Sequence, residues 1–132
     1  MASRRESRRV AIDVLYQADI TGEEPSSVLD DWRGAGRDLP EFAVELVEGV
    51  AERLPDIDLQ LEEHAEGWSV HRMAVLDRTI LRVGVYEVRW RDDVPTSVAI
   101  SEAVEAANEL STDDSGRFIN GVLGKIAREE AG

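Results

Sequence analysis

An all-α fold of about seven helices is what this sequence predicts, and three observations predict it. Apolar residues recur at i, i+3, i+4 and i+7 along most of the chain, the spacing of helices that bury one face. No stretch alternates apolar and polar residues as a half-buried strand does, and no repeat is visible. Cap residues, Gly and Pro fall between the periodic stretches and cut the chain into helix-sized pieces.

The elements follow in order. Ser3 and Glu6 have capping-box spacing and precede the apolar row Ala11, Val14, Leu15, Ala18. The first helix therefore starts between Arg4 and Arg8 and stops near Gly22. Ser26 or Ser27 caps a short helix holding Val28, Leu29 and Trp32, and Gly34 and Gly36 break it into the most flexible internal loop. Asp38 and Pro40 open a third helix with the row Ala43, Leu46, Val47, Val50, Leu54, ended by Pro55. Asp56 caps a fourth, where Ile57 and Leu61 repeat at i and i+4. Gly67 and Ser69 punctuate, and residues 70–74 form a candidate separate turn.

Next comes the stretch that organises the rest, Val75 to Trp90. On a helical wheel Arg78, Arg82 and Arg89 share one narrow strip, while Leu76, Ile80, Leu81, Val83, Gly84, Val85 and Val88 cover most of the remainder. A helix this apolar belongs among other helices, with the arginine strip and Asp77 as its accessible edge. Gly84 costs about 1 kcal/mol of helix propensity relative to Ala, which points to a second backbone packed closely against it. After a polar turn over residues 91–95, Ile100, Ala103, Val104, Ala107 and Leu110 trace a sixth helix from Thr96 to Leu110. Residues 111–115 offer several caps for a last helix, from residue 116 to about 128, with Phe118, Ile119, Val122, Leu123 and Ile126 as its buried stripe.

At 132 residues the chain reads as one domain, 1–132, long enough to remove about two-thirds of its unfolded surface from water. It has no cysteine, which excludes disulfides, thiolate metal sites and a Cys nucleophile. No apolar run is long enough to span a membrane and no secretory signal pattern is present, so a cytoplasmic location is expected. The net charge of −13 argues on its face against nucleic acid. Its distribution argues otherwise. Residues 13–66 hold 16 acids and 3 arginines and so account for the whole imbalance. The first ten residues carry Arg4, Arg5, Arg8 and Arg9 against Glu6 alone, at a helix start where cations are unfavourable. Either that segment is a solvated tail or something anionic neutralises it. Of the 15 basic residues 14 are Arg, suited to bidentate phosphate or base recognition, although a GC-rich genome produces the same bias.

No catalytic constellation stands out. His64 and His71 lack a third ligand at metal spacing and read as ordinary histidines, with no metal and no cofactor implied. The pairs Asp30-Asp31, Asp92-Asp93 and Asp113-Asp114 sit where carboxylates serve as caps. Gly121, Gly124 and Lys125 lack the spacing, the following Ser or Thr and the preceding strand of a phosphate loop. An enzyme is disfavoured. Arginines near Tyr16, and Arg117 with Phe118 at the start of the last helix, supply phosphate contacts and stacking platforms for single-stranded RNA. Each aromatic also fits a core position.

The stretches VLDRTILRVGVYEV and VAISEAVEAANELSTDDSGRFINGVLGKI, with Val94-Pro95 between them, resemble the C-terminal half of the NusB family of transcription antitermination factors. SRRESRRVAIDVLYQADI is similar to that family's arginine-rich first helix. The resemblance covers essentially the whole chain, is weakest over residues 23–36 and is most specific over residues 114–123. It implies about seven helices in two small subdomains and binding to the boxA element of nascent ribosomal RNA leaders. It implies that RNA is held jointly with NusE, a small-subunit ribosomal protein, within the RNA polymerase antitermination complex. RNA-facing positions implied by the match are Arg4, Arg5, Arg8, Tyr16, Asp114, Arg117 and Phe118, and the partner-facing ones are Asp77, Arg78 and Arg82. His64 stands where other members carry an aromatic, and Arg9 and Gly124 replace residues of different charge. The two cationic patches are expected to serve one RNA. Two other classes stay open. One is a helical homodimer or protein-interaction module without an RNA role. The other is the N-terminal domain of a ribosomal RNA cytosine methyltransferase, which needs a cofactor-binding domain that this sequence does not contain.

Overall fold

The computed structural model describes residues 2–131, which form seven α-helices and one 3-10 turn with no strand among them. The chain divides into two compact units, Met1–Glu52 and Arg53–Gly132.

The first unit holds α1 (Arg4–Thr21), α2 (Pro25–Gly34) and α3 (Glu41–Glu52), each packed on the other two. Ser3 caps α1: its hydroxyl accepts from Glu6 N–H at 3.0 Å and donates to the Glu6 carboxylate at 3.2 Å. Gly22 ends the helix with φ +77°, and its N–H reaches the Ala18 carbonyl at 2.9 Å. An L side chain in that left-handed conformation costs about 1–2 kcal/mol. Ala11, Val14, Val28, Ala43, Leu46 and Val47 form the solvent-free centre of this unit. The short second helix starts earlier than Ser26 and Ser27 suggest. Glu24 is its N-cap residue and Pro25 fills the first turn, where a missing N–H is harmless. Residues 34–37 are a hydrogen-bonded turn, with Arg37 N–H on the Trp32 carbonyl at 3.0 Å and the Arg37 guanidinium 3.4 Å above the Trp32 ring. Trp32 Nε1 in turn donates to Gln17 Oε1 at 3.1 Å.

The second unit holds α4 (Leu54–His64), a 3-10 turn (Val70–Arg72), α5 (Val75–Trp90), α6 (Thr96–Leu110) and α7 (Asp113–Ala131). Two boundaries differ from the sequence reading. Pro55 does not terminate α3; it sits in the first turn of α4, with Leu54 before it and Arg53 as N-cap residue. The last helix begins at Asp113, because Thr112 Oγ1 accepts the Ser115 N–H at 3.1 Å and so supplies the cap. The residues 70–74 segment is a separate turn, held by Val70 N–H on the Glu62 carboxylate at 2.9 Å.

Helices α4, α6 and α7 all pack on α5. Of the apolar circumference Ile80, Leu81, Val83, Gly84, Val85 and Val88 are buried as predicted and Leu76 is half-buried, while Thr79, Tyr86 and Glu87 are buried as well. The neighbour at Gly84 is a side chain rather than a backbone. A Cβ there would lie 2.7 Å from Leu123 Cδ1 and 3.6 Å from Ala103 Cβ, so α7 inserts a leucine where α5 has none. The arginine strip also differs from a free edge. Arg82 grips Asp58 with two hydrogen bonds of 2.9 Å, and Arg89 reaches Gln60 at 3.1 Å and Glu130 at 2.9 Å. The reason is the acidic and amide face that α4 turns toward α5, which periodicity within α5 cannot reveal. His64 is buried, its ring nitrogens on the Gln60 carbonyl and the Glu129 carboxylate. A stacking role is closed to it in this arrangement.

Candidate nucleic-acid interface

The first group of residues expected to face RNA lies on α1. Helical spacing divides its arginines between two directions. Arg4 and Arg8, one turn apart, face Phe42 of α3, with guanidinium carbons 4.3 and 5.4 Å from the ring centroid. Phe42 thus provides the cation–π support that lets positive charge gather at a helix N-terminus, where the macrodipole opposes it. Arg8 is only 7% exposed, so phosphate contact by Arg8 requires it to leave this face. Arg5 is exposed, and Tyr16, three turns further on, shows 40% of its surface. Tyr16 is thus a surface residue, not a core one. Arg9 stands one turn before Asp13. Desolvation raises the Asp13 carboxyl above its usual range, while Arg37 and Arg9 pull it back down. That carboxylate gives Arg9 a local partner. Nothing in the structure explains Gly124, where a Cβ would make only ordinary contact.

The second group lies on the first turn of α7. Asp114 and Arg117 are both exposed and form an i,i+3 ion pair with each other. An anion must compete with Asp114 for that guanidinium. Phe118 is half-buried and meets Trp68 edge to face, with centroids 6.2 Å apart and planes at 63°. Beside this pair a cavity of about 580 Å³ is lined by Trp68, Arg72, Met73, Asp77, Ser115 and Phe118, among others. Ser115 Oγ donates to Asp77 Oδ2 at 3.1 Å, while Asp77 Oδ1 is shielded from water and has no donor. Sequence reasoning missed Trp68, which reads only as a residue between the punctuating Gly67 and Ser69. Its one signal is a large aromatic in a polar turn, and the fold leaves it 51% exposed.

The residues expected to face the protein partner, Asp77, Arg78 and Arg82, share α5 and are each half-buried. Arg82 is committed to Asp58, and Asp77 turns toward Ser115. Among the described residues no cluster of His, Asp and Glu is arranged to hold a metal ion, and no helix is long and apolar enough to cross a membrane.

A two-unit all-α protein with an arginine-rich first helix and an aromatic–basic start to its last helix is the class these features define. The NusB family model matches residues 5–128, and the chain belongs to that family. Transcription antitermination protein NusB of Saccharopolyspora erythraea is 53% identical over 131 residues, spanning 96% of this chain and 88% of the relative. The solved structure of T. maritima NusB is similar with TM-score 0.88 and 32% identity, covering 99% of this chain and 94% of its own. A chain in the crystal structure of antitermination factors NusB and NusE in complex with dsRNA is similar with TM-score 0.85 and 26% identity, covering 96% of each chain.

Proposed function

We propose that this chain is a transcription antitermination factor. It binds the boxA element of nascent ribosomal RNA leaders jointly with the ribosomal protein NusE, as one RNA-binding domain, and helps RNA polymerase pass terminators. The carrying observation is the near-full-length likeness to relatives named for antitermination, one of which was solved with NusE and RNA. RNA contacts are assigned to Arg4, Arg5, Arg8, Tyr16, Asp114, Arg117 and Phe118, and protein contacts to Asp77, Arg78 and Arg82. The role is recognition without catalysis, in the cytoplasm. Electrostatics support a joint complex. A chain of net charge −13 repels RNA at long range, and a basic ribosomal protein docked on it enlarges the attractive surface.

The test is titration of labelled boxA RNA with and without NusE over a range of salt. Binding by the chain alone should be weak, with each phosphate contact steepening the salt slope by about 0.7 for a single strand. Addition of NusE should tighten it; unchanged affinity ends the cooperative model. Because the NusE-containing relative holds dsRNA, a boxA duplex belongs in the same titration. Preference for the duplex would move the reading from base recognition to helix shape. Sedimentation addresses a second reading, the homodimer without an RNA role: a dimer indifferent to boxA RNA favours it.

A further inference from the structure

We propose that the start of α3 withholds Arg4 and Arg8 from RNA: the Phe42 ring and the carboxylates beside it hold both guanidinium groups against the protein, and a bound strand must draw them off. The inference rests on the RNA reading above, which assigns both arginines to RNA, and adds to it an internal competitor for them.

The competitor is built from one aromatic and three acids. Arg4 and Arg8 lie one turn apart on α1 and both face Phe42, with guanidinium carbons 4.3 and 5.4 Å from the ring centroid. Both distances fall inside the limit of about 6 Å for a cation–π contact. Phe42 is 9% exposed and Arg8 7%, so ring and cation shield each other from water, which strengthens the attraction. Arg4 borders a cavity of about 590 Å³ whose lining also includes Phe42 and the acids Asp38, Glu41 and Glu45. One cation thus stands among three carboxylates.

Charge then decides where a strand can lie. A phosphate entering that cavity meets three like charges around a single arginine. The exposed Arg5 and Tyr16 offer an approach from another side of α1. Arg4 and Arg8 join a strand there only by leaving Phe42. Apparent RNA affinity is therefore reduced by the fraction of molecules in which they have left. The alternative is that Phe42 orients the two arginines for phosphate, and it carries the opposite sign. The burial of Arg8 favours withholding, because an arginine only 7% exposed has little surface to offer a ligand.

The test titrates labelled boxA RNA with the full chain at low salt, without any protein partner. Phe42→Leu keeps an apolar side chain but removes the ring face, and should tighten binding about fivefold. Glu41→Gln combined with Glu45→Gln leaves the ring in place and should tighten it about threefold. Arg4→Ala combined with Arg8→Ala should weaken binding. In that alanine background the Phe42→Leu gain should vanish to within about twofold, since the ring then has nothing to withhold. The glutamine pair should lose most of its gain there too, any remainder being its effect on net charge. Melting by circular dichroism checks each variant. If Phe42→Leu does not fold, the glutamine pair with and without the two arginines decides alone, and a gain that persists in full overturns the inference. So does a folded Phe42→Leu protein that binds no more tightly than the unaltered one while the alanine pair binds more weakly; the RNA reading then stands. An alanine pair that binds boxA RNA normally takes both arginines off the RNA face, and this inference falls with that assignment.

Discussion

The two regions proposed to face RNA are built on opposite electrostatic plans. On α1 four arginines cluster beside Glu6 and Asp13, and an aromatic of α3 supports two of them. On α7 a single arginine is locally neutralised by Asp114 and stands beside an aromatic cavity with a bare carboxylate oxygen. The first plan suits attraction, which any polynucleotide satisfies. The second suits selection, because it offers little net charge and several directional groups. An acidic protein that must find one RNA among many has reason to separate these tasks.

Replacing Arg4 and Arg5 together by Ala should break the attracting side most severely. RNA affinity is expected to drop about 30-fold at low salt and the salt slope to become shallower by about 1.4, twice the single-strand increment. If the slope is unchanged, these side chains do not touch phosphate. Phe118→Leu, which keeps an apolar side chain at the site, should weaken binding about tenfold with the slope preserved, as loss of a stacking platform does. A change in slope there would erase the distinction between the two regions.

The frame beneath the selecting region sharpens the contrast in a different measurement. Arg82→Ala leaves Asp58 half-buried without its fork and should lower stability by about 1–2 kcal/mol in urea unfolding. Asp114→Asn removes the competitor for Arg117 and should raise RNA affinity about threefold, with a stability change below about 0.5 kcal/mol for an exposed i,i+3 pair. Weaker binding would instead make Asp114 an acceptor for a base. The smallest effect is a pH dependence. Burial acts to lower the His64 pKa, but the Gln60 carbonyl and the Glu129 carboxylate outweigh it, so the folded value lies above the ordinary 6.5. The native state therefore binds more protons than the unfolded one in that window. The resulting stability is full below about pH 6.5 and is lost as pH rises through the folded value. His64→Gln should flatten that part of the thermal midpoint profile.

How much of this was legible depended on the range of the interaction. Local signals read true at Ser3 with Glu6, at Gly22, and along most of the apolar row of α5, whereas in the α6 row only Ala103 and Ala107 are buried and Leu110 is exposed. Ambiguous punctuation read less well. Pro55 marks a helix end and a helix start equally, and five successive cap-forming residues hid which one caps α7. Contacts distant in sequence could not be read at all. Arg8 against Phe42, Arg82 on Asp58 and Asp77 beneath Ser115 each join residues more than 20 positions apart. For that reason the residue types of the site were visible and their availability was not.

The leucine that fills the notch at Gly84 has a consequence for how recognition can drift. Leu123 belongs to the same 19-residue rod whose leading turn displays Asp114, Arg117 and Phe118. A methyl group added at position 84 collides with a solvent-free side chain, and close-packed interiors hand such displacement on to their neighbours. Any shift of that rod arrives at Phe118, about one and a half turns away. A mutation that never meets a ligand thus reaches the exposed turn of Asp114, Arg117 and Phe118 through mechanical leverage alone.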